Sequence, residues 1–164
     1  MLCKINDLVL ASVHHQRLFG VDATFTNDSK RKPVVIFIHG FKGFKDWGHF
    51  NLIADAFAQA DMVFIKLNLS HNGTALDFPE DFADLEAFGH NNFSIELDDV
   101  GVLIDYLFSA NCVIPSTEID LQRLYLIGHS RGGGVGGFHP FHSFVLPEHS
   151  QAIVENTVKF FKQS

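Results

Sequence analysis

Three short apolar runs constrain the fold of this chain more than any other feature. Residues 34–38, 62–67 and 123–127 are dominated by β-branched, aromatic and other large apolar side chains, without strict alternation with polar ones. A strand buried on both faces has this pattern, whereas a strand with one solvated face alternates. Because strands of this kind occur in parallel sheets with helices on both sides, the three runs predict such a sheet.

Helical patterns lie between and after these runs. Apolar residues recur at helical spacing in residues 47–60 and 94–108, with Ser94 expected as the N-cap of the second helix. A further helix is expected at 147–161, where Pro147 suits the first helical position. Strands alternating with helices predict the α/β class, with a mainly parallel central sheet and flanking helices.

Length, charge and cysteine content exclude several classes of protein. The 164 residues are enough for one domain, and a net charge of −7 argues against a nucleic-acid partner. No apolar run approaches the roughly 18 residues that span a bilayer, and no leader pattern is recognised at the N-terminus. Cys3 and Cys112 suggest no disulfide framework. These features predict a cytoplasmic protein without a membrane partner.

The strongest chemical motif follows the third apolar run. Gly128-His129-Ser130-Arg131-Gly132 matches the Gly-x-Ser-x-Gly nucleophile elbow, in which a serine lies on a strained turn between strand and helix. Glycines flank the serine because side chains there would collide with neighbouring backbone. A glycine-rich turn without chemistry is the alternative, but the preceding strand favours Ser130 as a nucleophile.

A second glycine-containing loop, residues 39–44, follows the first apolar run. In serine hydrolases with this kind of elbow, the loop after an early strand supplies one oxyanion-hole amide and the residue after the nucleophile supplies the other. The backbone N–H groups of Phe41 and Arg131 are therefore the candidates. A tight turn that serves only the backbone is the alternative for the first loop.

Residues 34–134 resemble bacterial α/β-hydrolases of the dienelactone-hydrolase and prolyl-oligopeptidase-like type. The resemblance rests on segments 39–48, 68–73, 85–89 and 128–133, and the tail at 135–164 is similar to the C-terminus of the same family. It implies a single α/β-hydrolase domain over 1–164, with a core at 1–134. It also implies hydrolysis of a small-molecule, ester-like substrate through an acyl-enzyme at Ser130, without a cofactor.

The chain departs from the family directly after Ser130. The family continues with further strand–helix units and then supplies the catalytic acid and histidine, whereas here glycines at 132–137 lead into the tail. Since one strand–crossover–strand unit takes about 30 residues, two or three missing units correspond to roughly 60 to 100 residues. The resemblance therefore implies a truncated α/β-hydrolase fold with an internal deletion after the elbow.

Few residues remain that could complete a catalytic triad. His139 is the candidate for a substitute base, although a histidine that fixes the tail fits the same position. An acid from the long acidic connection, Asp77 or Asp81, stays open. His139 and His142 also suggest a metal site, but tetrahedral coordination needs more ligands on a scaffold, so no metal is predicted. The acids and histidines after Ser130 are Glu148, Glu155, His139, His142 and His149.

Three interpretations follow from this departure. The first is a serine hydrolase with weak or absent turnover, and the second is a catalytically dead α/β-hydrolase fragment that acts as a binding or interaction module. The third is a gene artefact with an internal deletion. If the deletion is real, the strand at 123–127 lacks a neighbour on one side, and self-association through that exposed sheet edge is expected.

Overall fold

The computed structural model describes residues 1–136, together with Glu155 and Lys159. A five-stranded sheet with the strand order β1-β2-β4-β3-β5 forms its centre. The strands are β1 (Leu2–Ala11), β2 (Leu18–Thr26), β3 (Lys32–Ile38), β4 (Val63–Leu67) and β5 (Ile119–Gly128). The helices are α1 (Phe50–Gln59), α2 (Leu85–His90), α3 (Phe93–Phe108) and α4 (Arg131–Gly136).

Strands β4, β3 and β5 form the parallel part of the sheet, and β1 and β2 extend it with antiparallel pairing. The three apolar runs coincide with the parallel part. The predicted α/β architecture, with a central sheet and flanking helices, is confirmed. Because β3 lies between β4 and β5, its carboxyl end is at the middle of the parallel edge, where ligands bind in open α/β sheets.

The side chains of β3 divide between two apolar layers. Val34, Ile36 and Ile38 pack in one cluster with α3, whereas Val35 and Phe37 pack in the other with α1. Successive strand residues point to opposite faces, and β3 has no polar residue after Lys32, so it has to be covered on both sides. This double burial explains why β3 has no alternating pattern, and it gives the carboxyl end of β3 a rigid foundation.

Two helix starts differ from the prediction, each for a local reason. Helix α1 begins at Phe50 instead of residue 47, because Gly48 has a φ of 57°, which is incompatible with a right-handed helix. Helix α3 begins at Phe93, and its N-cap is Asn92, whose side chain accepts a hydrogen bond from the Ile95 N–H at 3.1 Å. Ser94 lies inside the helix, so the N-cap prediction was wrong.

Strand β5 is the last strand in the described sheet. Within residues 1–136 it pairs only with β3, and its residues 124–126 are half-buried. Helix α4 has six residues, and the glycine-rich run after Arg131 contributes the last five of them. The helix expected at 147–161 lies outside the described residues, apart from Glu155 and Lys159. No helix in the described part of the chain is long and apolar enough to cross a membrane.

Candidate active site

Ser130 occupies a sharp turn between a strand and a helix. Strand β5 ends at Gly128, α4 begins at Arg131, and Ser130 has a φ of 54°. A left-handed conformation costs a non-glycine residue energy and persists only where the surrounding structure imposes it. The half-buried Ser130 is therefore held in a strained geometry at the carboxyl end of the parallel strands.

The two glycines around Ser130 are required by close backbone contacts. A Cβ atom on Gly128 would lie 2.1 Å from the Gly132 carbonyl oxygen. A Cβ atom on Gly132 would lie 2.2 Å from the Ile38 carbonyl oxygen, at the end of β3. Neither distance can be tolerated, since the obstacles are backbone atoms. The first turn of α4 thus packs directly on the carboxyl end of the central strand.

The loop after β3 lies against the Ser130 turn. The His129 N–H donates a hydrogen bond to the Ile38 carbonyl oxygen at 2.9 Å. A Cβ atom on Gly40 would approach the Cβ atom of Ser130 and the Nδ1 atom of His129 to 3.0 Å each. The two loops singled out in the sequence therefore meet, with Gly40 allowing the contact.

Phe41 and Arg131 each follow a residue of this contact. Phe41 comes directly after Gly40, and Arg131 comes directly after Ser130. Within residues 1–136, the backbone N–H groups of Phe41 and Arg131 donate no hydrogen bond. Two backbone donors that no residue in 1–136 uses, next to a strained serine, are an arrangement that can receive an oxygen atom of a ligand.

His39 fixes the loop from inside. Its ring accepts a hydrogen bond at Nε2 from the Leu69 N–H at 3.3 Å, so Nδ1 carries the proton and donates to the Gly40 carbonyl oxygen at 2.9 Å. Burial lowers the pKa of His39 from 6.5 to about 4. The ring is therefore neutral at neutral pH. It links the loop after β3, at Gly40, to the segment after β4, at Leu69.

A buried ionic cluster anchors the rest of the same loop to the sheet. It consists of Asp22 on β2, Lys66 on β4, and Lys45 and Asp46 in the loop. Lys45 Nζ lies 2.6 Å from Asp22 and 2.5 Å from Asp46, while Lys66 contacts both carboxylates. Burial alone would lower the pKa of Lys45, but its hydrogen bonds to the two carboxylates raise it.

An ion pair and a cation–π contact hold the start of α4 against α3. Arg131 Nε donates to both oxygens of Glu96 at 2.8 and 3.0 Å, and its guanidinium group lies 4.0 Å from the centre of the Phe93 ring. Glu96 is buried on α3 and also accepts a hydrogen bond from Asn91 at 2.7 Å. Helix α3 therefore positions the residue that follows Ser130.

Sequence reasoning missed the roles of His39, Glu96 and the ionic cluster. Lys66 was the one available signal, because a lysine inside an otherwise apolar strand needs a buried counter-ion. Its partners Asp22 and Asp46 come from other segments of the chain, so their proximity depends on the tertiary fold. The same holds for Glu96, which is 35 residues away from Arg131.

A catalytic base and acid are not brought to Ser130 within residues 1–136. No described side chain is hydrogen-bonded to its hydroxyl group, and the neighbouring His129 ring stacks on Trp47 at 6.2 Å between centres. Asp77 and Asp81 are exposed. His139, the candidate substitute base, lies outside the described residues, as does His142. No cluster of three or more His, Cys, Asp or Glu side chains in the described part could hold a metal ion.

Comparisons with known proteins identify the fold. No protein-family model matches, and no curated protein matches. Among solved structures, the esterase Est22 superposes with a TM-score of 0.61 at 15% identity, over 82% of this chain and 37% of that one. A Klebsiella pneumoniae protein assigned as a dienelactone hydrolase gives 0.56 at 15% identity, over 81% of this chain and 52% of that one. A Pyrobaculum calidifontis esterase gives 0.56 at 12% identity, over 82% and 37%.

These likenesses show that the described sheet and helices have the α/β-hydrolase fold, as the sequence predicts. At identities of 12 to 15% these likenesses are evidence for the fold alone. The chain spans about 37% of the length of Est22. A fold of this kind hosts more than one chemistry, so the function has to be argued from the residues around Ser130.

Proposed function

We propose that this chain is a serine hydrolase that cleaves an ester-like bond of a small-molecule substrate through an acyl-enzyme at Ser130. The observation that carries the proposal is the strained turn of Ser130, packed against Gly40, with the Phe41 and Arg131 amides next to it in sequence and unpaired within residues 1–136. A positive φ at a serine between a strand and a helix supports a nucleophile elbow, in which the serine hydroxyl is exposed at the edge of an α/β sheet. The fold shared with esterases supports the same reading.

The proposed reaction begins with attack of the Ser130 Oγ atom on the substrate carbonyl carbon. The carbonyl π electrons move to oxygen, and the Phe41 and Arg131 N–H groups donate hydrogen bonds to the resulting oxyanion. The alkoxide leaves with a proton, and water then releases the acid from Ser130. No cofactor takes part in this scheme.

The hydroxyl proton of Ser130 needs an acceptor for the reaction to be fast. We propose His139 as the substitute base, because it is one of the few histidines that follow Ser130 in the sequence. An oxyanion hole and substrate binding without a full triad still give roughly 10³–10⁴-fold acceleration over water in known triad enzymes. We therefore expect slow turnover, well below that of a complete triad enzyme.

An assay with an activated ester tests the proposal. The full chain is compared with Ser130→Ala under single-turnover conditions, and mass spectrometry follows acylation of the Ser130 peptide. We expect a slow acylation that the substitution abolishes. Equal ester cleavage by both proteins, with no acylated peptide, would exclude Ser130 as the nucleophile. A fast, Ser130-dependent rate would instead show that an efficient base is present.

The second candidate is a binding module with the fold of a hydrolase and no activity. The observation that favours it is that Ser130 has no histidine or carboxylate hydrogen-bonded to it within residues 1–136. A module of this kind would bind an ester or acid at the Phe41 and Arg131 amides without covalent change. Binding of a non-hydrolysable ester analogue that persists in Ser130→Ala, in the absence of acylation, distinguishes it from the enzyme.

A further inference from the structure

Phe41 is exposed beside the proposed nucleophile, although it is a large apolar residue. About 60% of its surface is accessible to solvent. We propose that the Phe41 ring, backed by Phe88 and Phe82, is a subsite that binds a flat apolar group of the substrate, such as an aryl ring next to the ester bond. This inference rests on the proposed function, since it names the substrate class of the same site.

The position of the ring follows from the contact between the two loops. Gly40 lies against Ser130, so close that a Cβ atom there would be 3.0 Å from the serine Cβ atom. Phe41 follows Gly40 directly, and consecutive Cα atoms are about 3.8 Å apart. The Phe41 backbone therefore lies close to the contact between Gly40 and Ser130. Because the Phe41 N–H is a candidate oxyanion donor, a substrate held there has its substituents within reach of the Phe41 ring.

The Phe41 ring belongs to an aromatic cluster with Phe88 and Phe82 that the fold holds in place. Phe41 and Phe88 have ring centres 5.5 Å apart, and Phe88 meets Phe82 edge to face at 5.5 Å. Phe82 in turn packs on Gly73, where a Cβ atom would come within 2.7 Å of its ring. Gly73 has a φ of 95°, so both its conformation and its size fit this role.

The exposed Phe41 ring of this cluster is a surface suited to another aromatic group. Aromatic rings favour offset or edge-to-face arrangements at centre distances of roughly 4.5–7 Å. Lys42 Nζ lies 5.9 Å from the centre of the Phe41 ring, a loose contact that leaves most of the ring open. An aryl group can extend the Phe82–Phe88–Phe41 series by one ring, whereas an alkyl chain gains no comparable geometry.

Boronic acids test this subsite without requiring turnover. When such a reagent binds a serine, a bond forms between Ser130 Oγ and boron, the hydroxyl proton passes to solvent, and boron becomes tetrahedral and anionic. Phenylboronic acid and n-butylboronic acid are titrated into the full chain at neutral pH, where the free reagents are mostly trigonal. Boron NMR measures the tetrahedral fraction. We expect the phenyl reagent to bind roughly three- to tenfold more tightly than the butyl reagent.

Variants assign the preference to the ring. Phe41→Ala and Phe41→Leu should bring the phenyl-to-butyl affinity ratio close to one, and the leucine variant retains apolar bulk if the alanine variant folds poorly. Phe108→Ala is the matched control, because Phe108 is 59% exposed at the far end of α3 and should leave the ratio unchanged. Circular dichroism confirms that each variant folds.

The outcomes separate this inference from the proposed function. Equal affinities in the unmodified chain, or a ratio that survives both Phe41 substitutions, overturn the subsite while Ser130 stands as the nucleophile. A tetrahedral signal that persists in Ser130→Ala, or none with either reagent, overturns the proposed nucleophile and the subsite with it.

Discussion

At the scale of single residues, glycines define the Ser130 turn more strictly than any side chain does. Gly128 and Gly132 sit against backbone atoms of α4 and β3, and Gly40 sits against Ser130 itself. These contacts explain in physical terms why the Gly-x-Ser-x-Gly pattern has glycine at both ends. The need for glycine could be predicted from the motif. Which carbonyl groups lie against each glycine depends on the packed structure.

Gly132→Ala should destabilise the protein by about 3 kcal/mol or more, because its methyl group would lie 2.2 Å from the Ile38 carbonyl oxygen. The measurement is urea unfolding followed by circular dichroism. Gly101→Ala on α3 is the control, since a Cβ atom there meets nothing within 4 Å. The control should be neutral or up to about 1 kcal/mol more stable. Equal stability of the two variants would contradict the described packing.

His39 should make stability depend on pH in a defined window. Its pKa is about 4 in the folded state against 6.5 as an ordinary value, so between these limits the unfolded chain binds the extra proton. Its contribution is fully present above pH 6.5 and is lost as the pH falls towards 4. A shift of this size corresponds to roughly 3 kcal/mol. Burial, with Arg17 nearby, also lowers the pKa of His71, which acts in the same direction.

The test is chemical unfolding at several pH values between 4 and 7. His39→Gln should be less stable at pH 7 and should flatten the dependence on pH. His90→Gln, at an exposed position, is the control and should keep the slope of the unmodified chain. An unchanged slope in His39→Gln would mean that the buried ring is not responsible.

At the scale of elements, the sequence predicted strands more accurately than helix ends. Strands β3 and β4 coincide with apolar runs because burial on both faces leaves few polar positions, with Lys66 on β4 requiring buried counter-ions. The start of α1 depends instead on the φ angle of Gly48, and the start of α3 on a hydrogen bond from Ile95 to Asn92. Such local backbone choices are decided by one or two interactions, which a periodic pattern does not contain.

Removing a charge from the ionic cluster should lower the free energy of unfolding more than removing an exposed charge from the same loop. Lys45→Met leaves the buried carboxylate of Asp22 and the half-buried carboxylate of Asp46 with one cation instead of two. Removing one partner of a buried ion pair typically costs about 3 kcal/mol or more, and thermal or urea unfolding measures it. Lys42→Met, which removes an exposed lysine, should cost less than about 1 kcal/mol. Similar losses in both variants would show that the cluster adds little stability.

At the scale of the whole molecule, we predict self-association through the sheet edge at β5. Within the described residues β5 pairs only with β3, and residues 124–126 are half-buried. A strand edge with unpaired backbone groups can pair with another chain. Static light scattering over a concentration series should show a rise in apparent mass. A constant monomer mass at high concentration would mean that the edge is not available.

A charge placed at this edge should reduce the association. Gln122 is exposed on β5 next to Arg123, so Gln122→Lys adds a second cation where two chains would meet. Gln59→Lys, the same substitution at an exposed position of α1, is the control and should leave the scattering unchanged. If both substitutions act alike, net charge and not the β5 edge governs the behaviour.

The contacts that bend the Ser130 turn also say when it can form during synthesis. The groups that press on it from outside, at Ile38, His39 and Gly40, all precede Ser130 in the chain. Domains fold from the N-terminal side as translation proceeds, at about 5–20 residues per second. The turn can therefore close once α4 has left the ribosome, because the contacts described for it involve no residue after α4. A nascent chain would then carry its strained serine while translation of later residues continues.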